Sequence, residues 1–295
     1  MILNVSGRTD IIAFYEKWFM NRLNAGFVDV RNPFNPKLVS RINFSDVDLI
    51  LFCTKNPIPI LNDLDKIKIP FIFHVTITPY KNDIEPNVIL KTEIINAVKK
   101  ISTIIGKDNI YIRYDPIFLS DKYNIDYHIK AFNKLCTLLK GYVNTIIVSF
   151  LDEYKNVLKN KNILKFRQFT ENEYKLIGEN FSNIARTNNM VVQTCFEDRN
   201  LTEYGFKKGE CLSHELAYKL TGKTYKSWKA RKERKCECVE MVDIGCYNSC
   251  KHFCKYCYAN YDEKMVNENF KNHDVNSSLL CGILKKDDII KVRNK

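Results

Sequence analysis

The feature that most constrains the fold is an alternation of short apolar segments with longer segments of helical spacing. Six segments are rich in β-branched and aromatic residues, and a stretch with helical periodicity follows each of them. They are residues 2–6, 47–53, 70–78, 109–114, 145–150 and 190–196. Strands that are apolar throughout and alternate with helices are typical of a parallel sheet buried on both faces. We therefore predict an α/β fold.

Two of the intervening segments show helical spacing most clearly. Their apolar residues are Ile94, Ile95, Val98, Ile101 and Ile105 in one, and Ile125, Ile129, Phe132, Leu135, Cys136 and Leu139 in the other. Gly106 and Gly141 follow these segments, at positions where glycine commonly ends a helix. Thr170 and Glu173 have the spacing of a capping box, which predicts the start of a further helix.

Six strand–helix units are fewer than the eight that close a barrel. We therefore expect a partial (β/α)6 TIM-like barrel over residues 1–199 and a cysteine-rich C-terminal extension over residues 200–295. A doubly wound sheet is the alternative. Within the extension we expect residues 260–276 to form a loop and residues 286–295 a charged tail.

Polar side chains gather at or just after the ends of the predicted strands. Because the carboxyl ends of parallel strands meet at one edge, where active sites form, we expect these side chains to surround one site. They are Ser6, Arg8 and Asp10; Thr54, Lys55 and Asn56; Thr76 and Thr78; Arg113 and Asp115; Ser149 and Asp152; and Cys195 and Glu197. Because such residues occur at the same place after each of the six predicted strands, they favour the barrel over the doubly wound sheet.

Composition indicates a soluble protein with metal chemistry. The N-terminal residues lack a basic start with an apolar core, and no apolar run approaches the roughly 20 residues that span a bilayer. We expect a cytoplasmic protein without membrane association, in which the 11 cysteines stay reduced and bind metal. The net charge of +12 permits a polyanionic partner but does not indicate one, because the lysines are spread along the chain.

Cys250, Cys254 and Cys257 form a closely spaced run that could hold three irons of a 4Fe–4S cluster and leave the fourth iron open. Cys246 precedes this run by four residues. With Cys246, the four thiolates could instead close a zinc or cluster site that only staples the C-terminus. Zinc knots usually join two separated Cys-x-x-Cys pairs, whereas this run has one, so we favour the open cluster.

A second cysteine set consists of Cys195, Cys211, Cys236 and Cys238. These four thiols could ligate an auxiliary 4Fe–4S cluster or a zinc ion. The alternative is that Cys195 and Cys211 are buried packing residues, which is a common fate of free cysteine. The remaining cysteines, Cys53, Cys136 and Cys281, are expected to pack in the core.

The run from Cys250 to Cys257, with Tyr256 before its last cysteine, resembles the signature of radical S-adenosylmethionine (radical SAM) enzymes. The resemblance implies that SAM chelates the open iron and that one electron from the cluster cleaves SAM to a 5′-deoxyadenosyl radical, which then acts on a substrate. It also implies a flavodoxin- or ferredoxin-type electron donor and a position for Tyr256 beside the adenine. Candidate cofactor-binding residues are Tyr256, Tyr258, Asn260 and Asn56.

Nearly the whole chain is similar to one uncharacterised bacterial and archaeal family, classed as a domain of unknown function, whose C-terminal cysteine cluster resembles that of radical SAM enzymes. The similarity lies in residues 6–10, 14–15, 18–19, 31–34, 54–57, 113–117, 243–245 and 250–260. Two residues depart from the family pattern. Cys53 stands where a tryptophan is expected, and Cys246 stands where a small or polar residue is expected. The resemblance implies no substrate.

The sequence leaves a small-molecule substrate and a nucleic-acid substrate open. Residues 256–259 resemble spore photoproduct lyase, a radical SAM enzyme that repairs DNA, and residues 223–235 are basic. Tyr225, Trp228 and Tyr247 could stack on bases while lysines meet phosphates. The alternative is a solvated linker whose aromatic residues pack on the barrel rim.

Charged residues at the strand ends are candidates for binding SAM and substrate. Arg8, Lys55 and Arg113 could meet a carboxylate. Three carboxylates, those of Asp10, Asp115 and Glu197, could bind ribose hydroxyls or an amine. Ion pairs within the site are the alternative role for all six. We expect His252 and His273 at the surface.

Overall fold

The chain forms an α/β fold around a large parallel sheet. The computed structural model describes residues 1–195, 197, 199–228 and 237–293. The strands are β1 (Ile2–Val5), β2 (Phe27–Arg31), β3 (Leu38–Asn43), β4 (Leu49–Thr54), β5 (Phe71–Thr76), β6 (Ile110–Ile117), β7 (Thr145–Phe150), β8 (Val191–Thr194), β9 (Lys207–Lys208), β10 (Met241–Asp243) and β11 (Ile289–Val292). Eight of them form one sheet in the order β10-β1-β4-β5-β6-β7-β8-β9. Every pairing in this sheet is parallel.

All six predicted strands are present, as β1 and β4 to β8, and they lie side by side in chain order. A doubly wound sheet reverses its strand order at a switch point, and this sheet has no such reversal. The extension supplies the two outer strands, β9 and β10, which the sequence did not predict. Among the described residues no pairing joins β9 to β10, so the structure contains no closed barrel.

The prediction of a charged tail over residues 286–295 is wrong, because β11 belongs to a second, three-stranded sheet. β2 pairs antiparallel with β3, and β11 pairs parallel with β3 on its other side. Arg31 of β2 binds Asp288 at 2.5 Å, just before β11. This C-terminal segment is therefore part of the fold, because β11 forms hydrogen bonds with the otherwise unpaired edge of β3.

The helices are α1 (Ile11–Ala25), α2 (Lys91–Ile105), α3 (Ile125–Leu139), α4 (Lys155–Lys159), α5 (Lys161–Leu164), α6 (Glu171–Thr187), α7 (His214–Thr221) and α8 (Glu263–Lys271). The two helices predicted from periodicity are α2 and α3. The predicted capping box opens α6, since the Thr170 hydroxyl accepts from the Glu173 N–H and the Glu173 carboxylate accepts from the Thr170 N–H. The predicted loop over residues 260–276 is wrong, because α8 begins there with Asp262 as its N-cap.

Alternation along the strands separates the core from the site. On β5, Phe73 and Val75 belong to the main hydrophobic core, which also contains the buried faces of α1, α2, α3 and α6. His74 and Thr76 point to the opposite face and line a cavity. Because successive side chains of a strand face opposite ways, one strand can contribute to both the core and a polar site. None of the helices in the described ranges has the length and apolarity to cross a membrane.

Candidate metal and cofactor site

One cavity of about 410 Å³ lies at the carboxyl ends of β1 and β4 to β8. Its size falls within the range of about 300–1,000 Å³ that is usual for small-molecule sites. The predicted strand-end residues that line it are Ser6, Arg8, Asp10, Thr54, Lys55, Thr76, Arg113, Asp115, Ser149, Asp152, Cys195 and Glu197. Another cavity, of about 470 Å³, lies between α6 and β8, and no cysteine or histidine lines it.

The three-cysteine loop, Cys250 to Cys257, connects β10 to α8 and faces the same cavity, which all three cysteines line. The Cys257 N–H donates to the Cys254 carbonyl at 3.0 Å, and the Ala259 N–H donates to the Cys257 sulfur at 3.3 Å. Asn260 donates to the Cys250 carbonyl at 2.6 Å. These contacts hold the loop in shape, so the sulfurs are positioned by the backbone around them.

The thiols of the loop fit a metal cluster because they are buried in a site that needs a cation. Burial raises the pKa of Cys250 and Cys257, and it raises the pKa of Cys254 to about 12. Deprotonation therefore requires a positive partner, which a bound metal supplies. The three sulfurs are not all within 4.8 Å of one another in the described chain. Thiolates on one zinc lie about 3.8 Å apart, so in this structure the three sulfurs are not arranged around a single zinc ion.

Cys246 is turned away from the loop. Its thiol donates to the Tyr247 carbonyl at 3.4 Å, and a hydrogen bond from Cys281 lowers its pKa. Cys246 is not among the residues that line the cavity. This arrangement does not bring Cys246 to the place where a fourth cluster ligand would stand.

Asp10 ties the three-cysteine loop to the sheet. Its carboxylate accepts from the Ala13 N–H at 3.0 Å and from the Lys55 N–H at 2.7 Å, and it lies 2.8 Å from the His252 ring. His252 is 2% exposed, so its predicted surface position is wrong. The loop packs onto the N-terminal part of α1, where the His252 ring lies 4.6 Å from the Phe14 ring.

Glu85 is the central charge beside the loop, and sequence reasoning missed it because it follows β5 without any motif. Burial alone would raise its pKa, but Lys55 and Lys91 overcome this effect and lower the pKa to about 2. The Lys55 ammonium lies 2.8 Å from the carboxylate, and the Tyr256 hydroxyl also donates to it. The Tyr256 ring is thereby held in the cavity wall, with Lys55 5.4 Å from its centre.

Arg8 and Arg113, which were predicted to bind a carboxylate of SAM or substrate, already form hydrogen bonds within the protein. Arg8 donates to the Asp243 carbonyl at 3.0 Å, and the Asp243 carboxylate accepts from the Ser6 hydroxyl at 2.8 Å. Arg113 donates to Asp115 at 2.9 Å and to the Cys211 sulfur at 3.2 Å. A bound carboxylate would have to share these guanidinium groups, and the predicted roles remain predictions.

The other candidate residues differ in how close they lie to the cavity. Glu197 accepts from the Phe150 N–H at 2.7 Å, at the end of β7. Tyr258 lines the cavity and donates to the Gly7 carbonyl. The side-chain amide oxygen of Asn260 is buried and has no hydrogen-bond partner among the described residues. Asn56 accepts from the Ile58 N–H at 3.2 Å and does not line the cavity, so its side chain shapes a turn.

Three members of the second cysteine set come together and could hold a metal ion. The sulfurs of Cys195, Cys211 and Cys238 all lie within 4.8 Å of one another. The Cys211 N–H donates to the Cys238 sulfur at 3.1 Å. Cys236, the fourth predicted member, lies outside the described residues.

The aromatic residues that were candidates for stacking on bases have protein contacts. Tyr225 and Trp228 pack against a buried cluster that contains Ile2 and Leu49. Tyr247 lies 5.6 Å from the Arg8 guanidinium. Most of the predicted basic stretch, residues 229–235, lies outside the described residues. Nucleic-acid binding therefore stays a prediction.

Comparison with models of protein families gives a match over most of the chain. A family model described as "Domain of unknown function (DUF1848)" matches residues 2–259. This range runs from β1 to the end of the three-cysteine loop and includes both cysteine sets. No curated protein matches the chain.

Proposed function

We propose that this chain, which belongs to the DUF1848 family, is a radical SAM-type enzyme with a 4Fe–4S cluster on Cys250, Cys254 and Cys257. One observation carries the proposal. The three-cysteine loop faces the cavity at the strand ends, whereas Cys246 is paired with Cys281 and does not line that cavity. A cluster held by the three thiolates of the loop, without Cys246, would have one iron open for a substrate or cofactor.

The strand order supports a partial barrel as the scaffold. Strands β1 and β4 to β8 follow one another in chain order, and β10 continues the series on the far side of β1. This order is consistent with an open βα barrel whose edge strands are β9 and β10. In such a fold the active site forms at the carboxyl ends of the strands, which is where the cavity lies.

When bound, such a cluster would supply one electron that cleaves the sulfonium of SAM into methionine and a 5′-deoxyadenosyl radical. The chain's own residues would position the reactants and exclude water. Lys55, beside Cys254, would offset the negative charge of the thiolates. The wall formed by Tyr256 and Tyr258 would hold the adenosine. Arg113 and Asp115, farther along the sheet, would meet the substrate, which the proposal leaves unidentified.

The proposal is tested by reconstitution with iron and sulfide under nitrogen, followed by dithionite and SAM. We expect 5′-deoxyadenosine from the wild-type protein and none above background from Cys254→Ala. A flavodoxin- or ferredoxin-type protein should replace dithionite as the electron donor. Release of 5′-deoxyadenosine by Cys254→Ala at the wild-type rate would overturn the assignment.

Cys246→Ala is the matched control, because it removes a thiol four residues before the loop. An open cluster predicts that this variant keeps its iron content and its 5′-deoxyadenosine release. If Cys246→Ala loses iron as completely as Cys254→Ala does, the site is closed by four cysteines, and the enzyme proposal fails.

A further inference from the structure

The sulfur spacing of Cys195, Cys211 and Cys238 distinguishes this group from the three-cysteine loop. The Cys195 and Cys211 sulfurs are 2.6 Å apart, and all three sulfurs lie within 4.8 Å of one another. Thiolates on a single tetrahedral zinc are about 3.8 Å apart, given Zn–S bonds of about 2.3 Å. Thiolates that bind different irons of a cluster lie farther apart than this, because the irons themselves are separated. The group is compact enough to be a site for one ion, once the Cys195 and Cys211 sulfurs separate by about 1 Å on binding.

His74 is a buried imidazole beside this group with neither ring nitrogen hydrogen-bonded in the described structure. It is 0% exposed, and both Nδ1 and Nε2 lack a partner. Cys211 lies close enough to act on the ring electrostatically, so the imidazole is beside the thiol group. An unpaired polar group in the interior is costly, and a neutral imidazole is a preferred zinc ligand. A metal ion at the thiols would give one ring nitrogen its partner.

Arg113 supplies the charge balance that such a site needs. Three thiolates and one divalent ion together carry a net negative charge. The Arg113 guanidinium lies 3.2 Å from the Cys211 sulfur and is oriented by Asp115. Partners of this kind orient metal ligands and adjust their basicity.

We propose that Cys195, Cys211 and Cys238 bind one zinc-class divalent ion and that His74 is its fourth ligand. The site is of the closed, structural type and fixes β5, β8 and the segment before β10 around the cavity. It does not depend on SAM chemistry, and it leaves the three-cysteine loop as the place for the cluster.

The test uses full-length protein in which Cys250, Cys254 and Cys257 are all replaced by alanine, so that any metal left belongs to the second site. We expect about one zinc per chain and, after exchange for cobalt, the absorbance of a tetrahedral ion with three thiolates. His74→Asn should weaken zinc binding at least about tenfold in competition with a chelating dye. Cys53→Ala removes a cavity thiol outside the group and should leave the affinity unchanged.

A gain-of-signal variant keeps the test independent of folding defects. His74→Cys should retain the ion and raise the thiolate-to-cobalt absorbance by one thiolate. Iron and sulfide in 4Fe–4S proportions after anaerobic reconstitution of the triple alanine protein would overturn the single-ion site. If Cys236→Ser removes one thiolate from the cobalt spectrum and His74→Asn changes nothing, the fourth ligand is Cys236 and the role of His74 is wrong.

Discussion

At the scale of single residues, the site depends on a buried carboxylate that two lysines share. Glu85 is 1% exposed and accepts from Lys55, from Lys91 and from the Thr78 hydroxyl. A buried carboxylate is stable only when charges and hydrogen bonds replace the water it has lost. Glu85 also accepts from the Tyr256 hydroxyl, and its ion pair with Lys55 places that lysine beside Cys254. Glu85 is thus a positioning residue for the proposed cluster loop.

Glu85→Gln should destabilise the protein by about 3 kcal/mol, because it leaves two lysine ammonium groups beside a neutral amide. The folded pKa of Glu85, about 2, is below its ordinary value of 4.5. Its contribution to stability is therefore present above pH 4.5 and is lost as the pH falls toward 2. Urea unfolding of both proteins at neutral pH measures the difference. Glu93→Gln, at an exposed position of α2, should change stability by less than about 0.5 kcal/mol.

At the scale of elements, α3 and α6 pack against each other through aromatic residues, one of which the helical spacing predicted. Phe132 of α3 and Phe181 of α6 are fully buried and stack with ring centres 3.8 Å apart. The spacing within α3 predicted that Phe132 faces the core. It did not predict the partner, because the two residues lie on different helices and meet only when both helices pack on the sheet.

Phe132→Ala should lower the free energy of unfolding by about 3–5 kcal/mol, through lost burial and the cavity that remains. Leu138→Ala removes an apolar side chain from the exposed face of the same helix and should cost less than about 1 kcal/mol. Thermal or denaturant unfolding of the two variants measures both effects. Equal losses would mean that α3 does not bury the face that the structure assigns to it.

At the scale of the whole molecule, β10 joins the C-terminal extension to the first strand. Asp243 ends β10, and its carboxylate accepts from the Gly7 N–H at 2.6 Å and the Gly245 N–H at 2.7 Å. Arg8 lies 3.3 Å from the same carboxylate. The three-cysteine loop begins a few residues later, so this contact sets where the loop meets the cavity.

Asp243→Ala should cost about 3 kcal/mol or more, because it strips a partly buried arginine and two backbone donors of their acceptor. Reconstituted Asp243→Ala should also hold less iron than the wild type, since the loop loses its anchor. Asp243→Asn keeps one acceptor oxygen and should lie between the two proteins in both measurements. Wild-type iron content in Asp243→Ala would show that the loop is positioned by other contacts.

Three edge strands, β9, β10 and β11, could not be predicted from the sequence, because they are short and pair with strands distant in the chain. β9 and β10 are two and three residues long, which is too short for a periodicity to be recognised. β11 has only four residues and lies between charged residues, so the segment reads as part of a charged tail. It becomes a strand because β3 offers hydrogen-bonding groups at its edge. Their pairing energy comes from a partner strand that is distant in the chain.

The sequence by itself determined the six central strands, the α2 and α3 helices, the capping box of α6 and the spacing of Cys250, Cys254 and Cys257. Each depends on residues within one element, where backbone geometry and side-chain periodicity act over a few positions. Only the tertiary structure decided that Cys246 turns to Cys281, that His74 stands unpartnered near Cys211, and that Asp10 meets His252 across 242 positions. These contacts join separate elements, so they exist only once the parallel sheet has brought its strand ends together.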